Sequence, residues 1–310
     1  MKRNSRIFVA GENTMEGKAL IRLLKKSHYS SIINLENGEP DLSDYSMLTE
    51  YFQETQPQYV FLLAGKSGGI KANQDMPATF MLDNLQILCN VVHLAHIFEV
   101  EKLLFMASSC SYPKHADQPM RPEMLMSGSL EPTNSAYATA KLAGIELCQA
   151  FRKEHVNNFI TVIPANVFGP GDDFSIDNSH VVASLIRRMD DAIKSGSKSV
   201  NVWGSGKPKR EFIFVNDLAD ACIFLMKHYE ENSPINVGTG TTLSVRKLAY
   251  LIMDIVGYNG KIEFDTRKPD GMPIKVLDSD RLFELGWIPS TTIHSALDKT
   301  YHWFKSVQSP

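Results

Sequence analysis

Through the first half of the chain, short uninterrupted apolar runs alternate with stretches whose apolar positions recur every three to four residues. Ile7–Ala10 is the first run, and Gly17–Lys25 follows it with Ala19, Leu20, Leu23 and Leu24 on one helical face. The same alternation predicts strands at Ser31–Leu35, Tyr59–Ala64 and Lys102–Ala107, and helices near 45–55 and 77–98. Strands apolar at every position are covered on both faces. Repeated βα order with right-handed crossovers therefore predicts an α/β fold, a Rossmann-like doubly wound parallel sheet. Two more strands are expected at Phe159–Ile163 and Glu211–Val215. Between them, Gly169–Pro208 is rich in Gly, Ser, Asp and Asn, and the tail after Pro234 mixes a helix at Ser244–Val256 with loops. The division this predicts is a dinucleotide-binding Rossmann domain over 1–166 plus roughly 209–233, with a smaller C-terminal substrate domain from roughly 167–208 and 234–310.

Composition narrows the class. At 310 residues, 43% hydrophobic and 22% charged, the chain is ordinary globular material, not collagen, a disordered tail or a disulfide scaffold. A net charge of -3 gives no long-range field to draw nucleic acid or an acidic membrane surface, so neither is expected as a partner. Cys89, Cys110, Cys148 and Cys222 lack C-x-x-C spacing, so no metal site or disulfide framework is expected. The apolar run near the N-terminus is shorter than a signal-peptide core of about 7–15 residues. No run approaches the roughly 18–20 residues of a membrane span. These features predict a cytoplasmic protein.

Several segments carry candidate chemistry. The first strand runs into Gly11-Glu-Asn-Thr14-Met15-Glu-Gly17 and then a helix, the setting in which glycines let a backbone approach a pyrophosphate. Thr14 stands where a middle glycine would be, and Glu12 and Glu16 put carboxylates where an anion should arrive. Tyr137 and Lys141 are four apart, one face of a helix, so the ammonium is expected beside the phenol, lowering its pKa. Ser108 follows the strand ending at Ala107 and points a hydroxyl into the crevice of a parallel sheet. Ser108, Tyr137 and Lys141 thus have the type and order of a carbonyl-reducing triad. A lone cysteine is ordinarily a structural thiol, yet Cys110 on this crevice loop can act as a base if its pKa is lowered. His180 is a second candidate acid or base. Trp203-Gly-Ser-Gly206 with Arg210, near Arg187 and Arg188, suits a planar base and a diphosphate.

With these residues in place, the sequence resembles the GDP-L-fucose synthase family of the extended short-chain dehydrogenase/reductase superfamily. Beyond Ser108-Ser-Cys110 and Tyr137-x-x-x-Lys141, the matching segments include Leu130-Glu-Pro-Thr-Asn134, Asn178-Ser-His180, Trp203-Gly-Ser-Gly206, Arg210-Glu-Phe212, Lys268-Pro-Asp-Gly271 and Leu285-Gly-Trp287, spanning essentially the whole chain. The resemblance implies NAD(P)H-dependent 3,5-epimerisation and 4-keto reduction of a GDP-4-keto-6-deoxyhexose. It implies that Ser108, Tyr137 and Lys141 serve reduction at C4, with Cys110 as base and His180 as acid at C3 and C5. It implies cofactor contacts from Gly11, Thr14, Met15, Gly17, Glu36, Ala64, Gly65, Lys66, Ser108, Tyr137, Lys141, Pro164, Asn166, Val167 and His180. Arg188, Trp203, Arg210 and Asp270 would take the GDP-sugar, and a homodimer would pair through helices near 80–98 and 137–153.

The chain departs from the family pattern at the cofactor. The family typically reads His-Arg-Gly-Met-Val-Gly after its first glycine, so Thr14 is expected to crowd the pyrophosphate and Glu12 and Glu16 to repel it. NADP(H) is what the resemblance implies, while Glu36 after the second strand, where the family carries arginine, leaves NAD(H) open. Ile274, where a basic residue is usual, points to a changed sugar. Two other readings stay open: a 4-keto reductase without epimerase activity on another GDP-deoxysugar such as a heptose, and a weakly catalytic binding protein with an impaired cofactor site.

Overall fold

The computed structural model describes residues 1–33, 38–176, 179–268 and 270–308. In chain order the strands are β1 (Ile7–Ala10), β2 (Tyr59–Leu62), β3 (Lys102–Met106), β4 (Phe159–Pro164), β5 (Asn166–Phe168), β6 (Ser199–Trp203), β7 (Lys209–Phe214), β8 (Ile235–Val237), β9 (Thr242–Ser244), β10 (Lys261–Asp265) and β11 (Ile274–Lys275). The helices are α1 (Met15–Lys26), α2 (Tyr45–Thr55), α3 (Ile70–Asp75), α4 (Pro77–Ile97), α5 (Ser135–His155), α6 (Val181–Ser195), α7 (Val215–His228), α8 (Val245–Val256), α9 (Asp280–Glu284) and α10 (Ile293–Gln308).

The central sheet is wholly parallel in the order β1-β2-β3-β4-β8. Every residue of β1 through β4 is buried, because helices cover both faces: α4 and α5 pack together on one side, α1 and α7 on the other. This is the Rossmann-like architecture expected from the uninterrupted apolar runs. Of the predicted strand at Ser31–Leu35, Ile32 makes a parallel bridge to Ile7 and extends the sheet beyond β1, and the stretch from 34 onward lies outside the described residues.

Two smaller sheets complete the molecule. One pairs β6 with β10; the other has the order β11-β7-β5, with β9 antiparallel to β7. Pairing therefore assigns two strands differently from the division drawn from the sequence. β7 leaves the Rossmann sheet for the smaller one, and β8, from the tail, enters the Rossmann sheet beside β4. Apolar texture reports that a strand is buried, not which partner it has. Two further helices form, one in the Gly169–Pro208 stretch and one in the tail where loops were expected. α6 buries Val182, Leu185, Ile186 and Met189, and α10 buries Ala296, Leu297, Thr300 and Phe304.

The lobes are stitched by satisfied polar groups. Asn236 of β8 accepts from the Tyr112 hydroxyl (2.7 Å) and donates to the carbonyls of Met120 (2.9 Å) and Asp278 (2.8 Å). A fully paired buried amide of this kind fixes one register between segments far apart in sequence.

Candidate active site

Gly11–Gly17, Ala64–Lys66, Ser108 and Pro164 lie at the C-terminal ends of β1 to β4, where a parallel sheet opens its ligand crevice. Gly11 has φ of +101°, and a Cβ there would lie 2.6 Å from the Ala64 backbone nitrogen. A Cβ on Gly17 would collide with the Gly11 carbonyl. Both glycines are thus required for strand, turn and helix to close together, as a dinucleotide turn demands. Thr14 does not stand out as an obstruction. Its hydroxyl caps α1, donating to the Gly11 carbonyl (2.7 Å) and accepting from the Gly17 amide (3.0 Å). Met15, the first residue of α1, faces the Gly171 loop.

Acidic groups surround this turn. Glu39 accepts from the amides of Gly11 (2.6 Å) and Glu12 (3.4 Å), while Glu12 accepts from the Glu39 amide (3.0 Å). Burial raises the pKa of Glu39, and the two amide bonds counter it. Burial also raises Glu16, whose carboxylate bonds its own backbone N–H and feels the Lys141 charge. The glycine geometry and the helix N-terminus fit a pyrophosphate; the carboxylates oppose its charge. Glu36 lies outside the described residues.

Ser108 ends the β3 segment and caps a short 3-10 turn, its hydroxyl accepting from the Cys110 amide at 3.2 Å. The expected lowering of the Tyr137 pKa by Lys141 is not what the structure has. Burial raises the phenol, with negative charge at Cys110 and Glu16 adding to the rise and the nearby Ser108 hydroxyl opposing it. The reason is geometric: the Lys141 ammonium donates to the Met106 carbonyl (3.1 Å) and stands 5.9 Å from the centre of the Tyr137 ring. Burial also brings Lys141 itself down to about 8, Glu16 opposing that fall.

Cys110 is the best-furnished group of the cluster. Asn134 donates its Nδ2 to the thiol sulfur at 3.2 Å, and the Lys275 ammonium lies 3.6 Å from it. Burial pushes the thiol up, but the Lys275 charge and hydrogen bonds from Ser108, Asn134 and Lys275 outweigh it and bring the pKa below the ordinary value. His180, exposed at the N-cap of α6, has its imidazole pKa lowered by the protein packed around that helix end, against the pull of Asp173.

The remaining predicted residues fall in two groups. Ala64 and Gly65 follow β2 along the crevice. Lys66 turns its ammonium toward Asp83 (3.4 Å), while its carbonyl accepts from Asn84. Pro164 ends β4, and Asn166 and Val167 lie in β5, with Asn166 donating to the Glu211 carbonyl (2.7 Å). In the other lobe, Trp203 is 66% exposed with the Lys268 ammonium 5.3 Å from its ring centre, an open platform for a planar base. Asp270 closes the adjoining turn, accepting from the Ser205 amide (2.8 Å) and hydroxyl (2.6 Å). Arg210 on β7 donates to the Met272 carbonyl (2.6 Å), and Arg188 on α6 to that of Asn201 (3.1 Å). Ile274 is 38% exposed on β11.

Lys275, Asn134 and Glu39 join the site through contacts that carry no local sequence signal. Asn134 sat inside a quoted motif and Lys275 beside Ile274, but neither had a visible partner until the chain folded.

A parallel Rossmann sheet with a glycine turn at β1 and a hydroxyl–phenol–ammonium cluster beyond β3 is the framework of a dinucleotide-dependent enzyme acting at a carbonyl carbon. The chain belongs to the NAD dependent epimerase/dehydratase family, whose model matches residues 7–238. Within that family it is similar to a putative GDP-L-fucose synthase 2 of Arabidopsis thaliana, at 44% identity over 98% of this chain and 93% of the relative. Among solved structures it is similar to a GDP-6-OMe-4-keto-L-xylo-heptose reductase from C. jejuni, with a TM-score of 0.92 at 30% identity over 99% of both chains. A GDP-L-fucose synthetase from Naegleria fowleri bound to NADP superposes with a TM-score of 0.91 at 28% identity, covering 100% of this chain and 97% of the other.

Proposed function

We propose that this chain is an NADP(H)-dependent enzyme that epimerises C3 and C5 of a GDP-4-keto-6-deoxyhexose and reduces its C4 ketone, giving GDP-L-fucose or a close relative. The observation that carries the reading is the Cys110 thiol held by Asn134 and Lys275 just beyond β3, beside the Ser108 hydroxyl that accepts from the Cys110 amide. Reduction and epimerisation need separate proton-handling groups around one ketone; Ser108, Tyr137 and Lys141 are the candidates for the first, Cys110 and His180 for the second.

The bound dinucleotide supplies hydride to C4. Ser108 and Tyr137 hold the C4 oxygen, and Tyr137 delivers its proton; a phenol with a raised pKa keeps that proton until negative charge develops on the oxygen. Lys141 would hold the nicotinamide ribose of a bound dinucleotide. The same two hydroxyls polarise the ketone during epimerisation, so that a C–H electron pair released at C3 or C5 is stabilised as an enolate. Cys110 takes the proton and His180 returns one to the opposite face. Arg188, Arg210, Trp203 and Asp270 anchor the nucleotide. NADP is the cofactor named for the N. fowleri structure, and Gly11, Thr14, Met15 and Gly17 would hold its pyrophosphate, with Ala64, Gly65, Lys66, Pro164, Asn166 and Val167 lining the rest of the groove.

Supplying GDP-4-keto-6-deoxymannose with NADPH or NADH should oxidise the cofactor; no turnover with either removes this reading. A second reading, 4-keto reduction without epimerisation, has its own support in the likeness to the C. jejuni heptose reductase and in Ile274. It predicts turnover with no solvent hydrogen entering C3 or C5.

The enzyme is further proposed to be a cytoplasmic homodimer, since Leu82 and Ile97 of α4 are 56% and 54% exposed on the long helix pair. Among the described residues no helix is long and apolar enough to cross a membrane. Sedimentation as a dimer, lost in a Leu82→Asp, Ile97→Asp double variant, is the expected result; a monomeric parent protein contradicts the pairing.

A further inference from the structure

The thiol and the ammonium that meet at Cys110 come from different lobes. Cys110 is set by the end of β3 and its 3-10 turn. Lys275 belongs to β11, where it is the parallel register partner of Arg210 on β7. Paired positions on adjacent strands direct their side chains to the same face, so the two cations stand side by side. The chain beyond Lys275 is tied to the Rossmann lobe. Val276 donates its amide to Gln118 Oε1 (2.9 Å) and accepts at its carbonyl from Met120 (2.9 Å), and Asp278 donates to the Met120 carbonyl (2.9 Å). These bonds hold β11 at the distance from which its lysine reaches the sulfur.

We propose that Lys275 is the positioning residue that supplies the counter-charge of a Cys110 thiolate, so that the base is complete only while β11 of the nucleotide-sugar lobe is docked on the Gln118–Met120 segment. This rests on the epimerase reading for its use in the reaction, but the ion pair itself does not. The groups acting on the sulfur are Lys275 from β11, Ser108 from the β3 end and Asn134 ahead of α5, with the Tyr137 phenol raised by the thiolate in turn. Of these, Lys275 alone is cationic. In each epimerisation the thiolate takes the carbon-bound proton, an S–H bond forms, and the C–H electron pair moves onto the C4 oxygen. A proton from His180 then closes the opposite face; the thiol releases its proton to water and the imidazole regains one, so protons balance. Lys275 keeps its own proton throughout.

Iodoacetamide alkylation at Cys110, followed by peptide mass from about pH 5 to about pH 10 in a Cys89→Ser background, reads the thiolate directly. Lys275→Met should move the midpoint of that profile alkaline by about one pH unit or more, and Lys275→Arg should leave it near the parent value. Lys275→Gln serves where methionine fails to fold. An unchanged midpoint in both neutral variants overturns the proposal. Solvent deuterium exchange into the keto sugar, measured across the same pH range, should show the same alkaline displacement. Cys110 alkylation that shifts as predicted, in a protein that exchanges no deuterium, upholds the ion pair and removes the epimerase reading instead.

Discussion

Asp172 sits on the loop against Met15 with one carboxylate oxygen, Oδ2, buried and without a hydrogen-bond partner among the described residues. Burial raises its pKa to about 7; the Asp173 amide (2.8 Å) opposes the rise and the charges of Glu16 and Asp173 add to it. The folded state therefore holds this proton to higher pH than the unfolded chain does. Its contribution to stability is fully present below the unfolded value of 3.8 and is lost as pH rises through about 7. Asp172→Asn keeps the acceptor for the Asp173 amide and removes the ionisation. It should stabilise the protein at pH 8 by about 2–4 kcal/mol and have little effect near pH 4, measured by urea unfolding at both values. Equal effects at the two values would contradict the assignment. At this scale the sequence is uneven. Ser108, Tyr137 and Lys141 are legible because their spacing is local and their order relative to a strand is visible. Lys275 is 165 residues from Cys110, a separation at which no periodicity reports contact.

β7 shows what an element adds to a motif. Its Glu211 is 1% exposed and accepts from the amides of Leu277 (2.8 Å), Thr239 (2.7 Å) and Gly240 (2.8 Å). Burial raises its pKa and these bonds oppose the rise. One carboxylate thereby gathers the loop after β8 and the chain after β11 around Arg210. Glu211→Ala leaves three amides without that acceptor and should cost about 2–4 kcal/mol in chemical denaturation, with weaker GDP-sugar binding. A change within about 0.5 kcal/mol, the range usual for surface sites, would contradict this role. The elements themselves were largely readable. The helix expected near 45–55 forms at Tyr45–Thr55, where Asp44 caps the first turn by accepting from Ser46 and Met47. α10 escaped notice because its buried Ala296, Leu297, Thr300 and Phe304 include a small and a polar residue amid charged ones. β7 reads as a strand in the sequence, but its apolar run, Phe212–Phe214, is as buried as that of a central strand and so does not report its pairing with β5 and β9.

Across the whole molecule, the candidate site lies between a Rossmann sheet and a lobe built by two separated stretches of chain. The nucleotide turn lies in the first lobe, the Trp203 platform and Arg210 in the second, and Cys110–Lys275 bridges them. That arrangement explains why the family resemblance spans the entire chain: the chemistry requires both lobes in register. It also sets where the chain's own departures act. Thr14 is absorbed as a helix cap, whereas Glu16 remains a buried carboxylate whose charge supports Lys141 and opposes the cofactor phosphates. In the proposed function, two proton-handling sets work on one ketone. Turnover of GDP-4-keto-6-deoxymannose with reduced cofactor in D2O, with the product read by NMR, separates this from reduction alone. Deuterium at both C3 and C5 with hydride from the cofactor at C4 is the expected result; a reduced product still carrying protium at C3 and C5 rules the two-set site out.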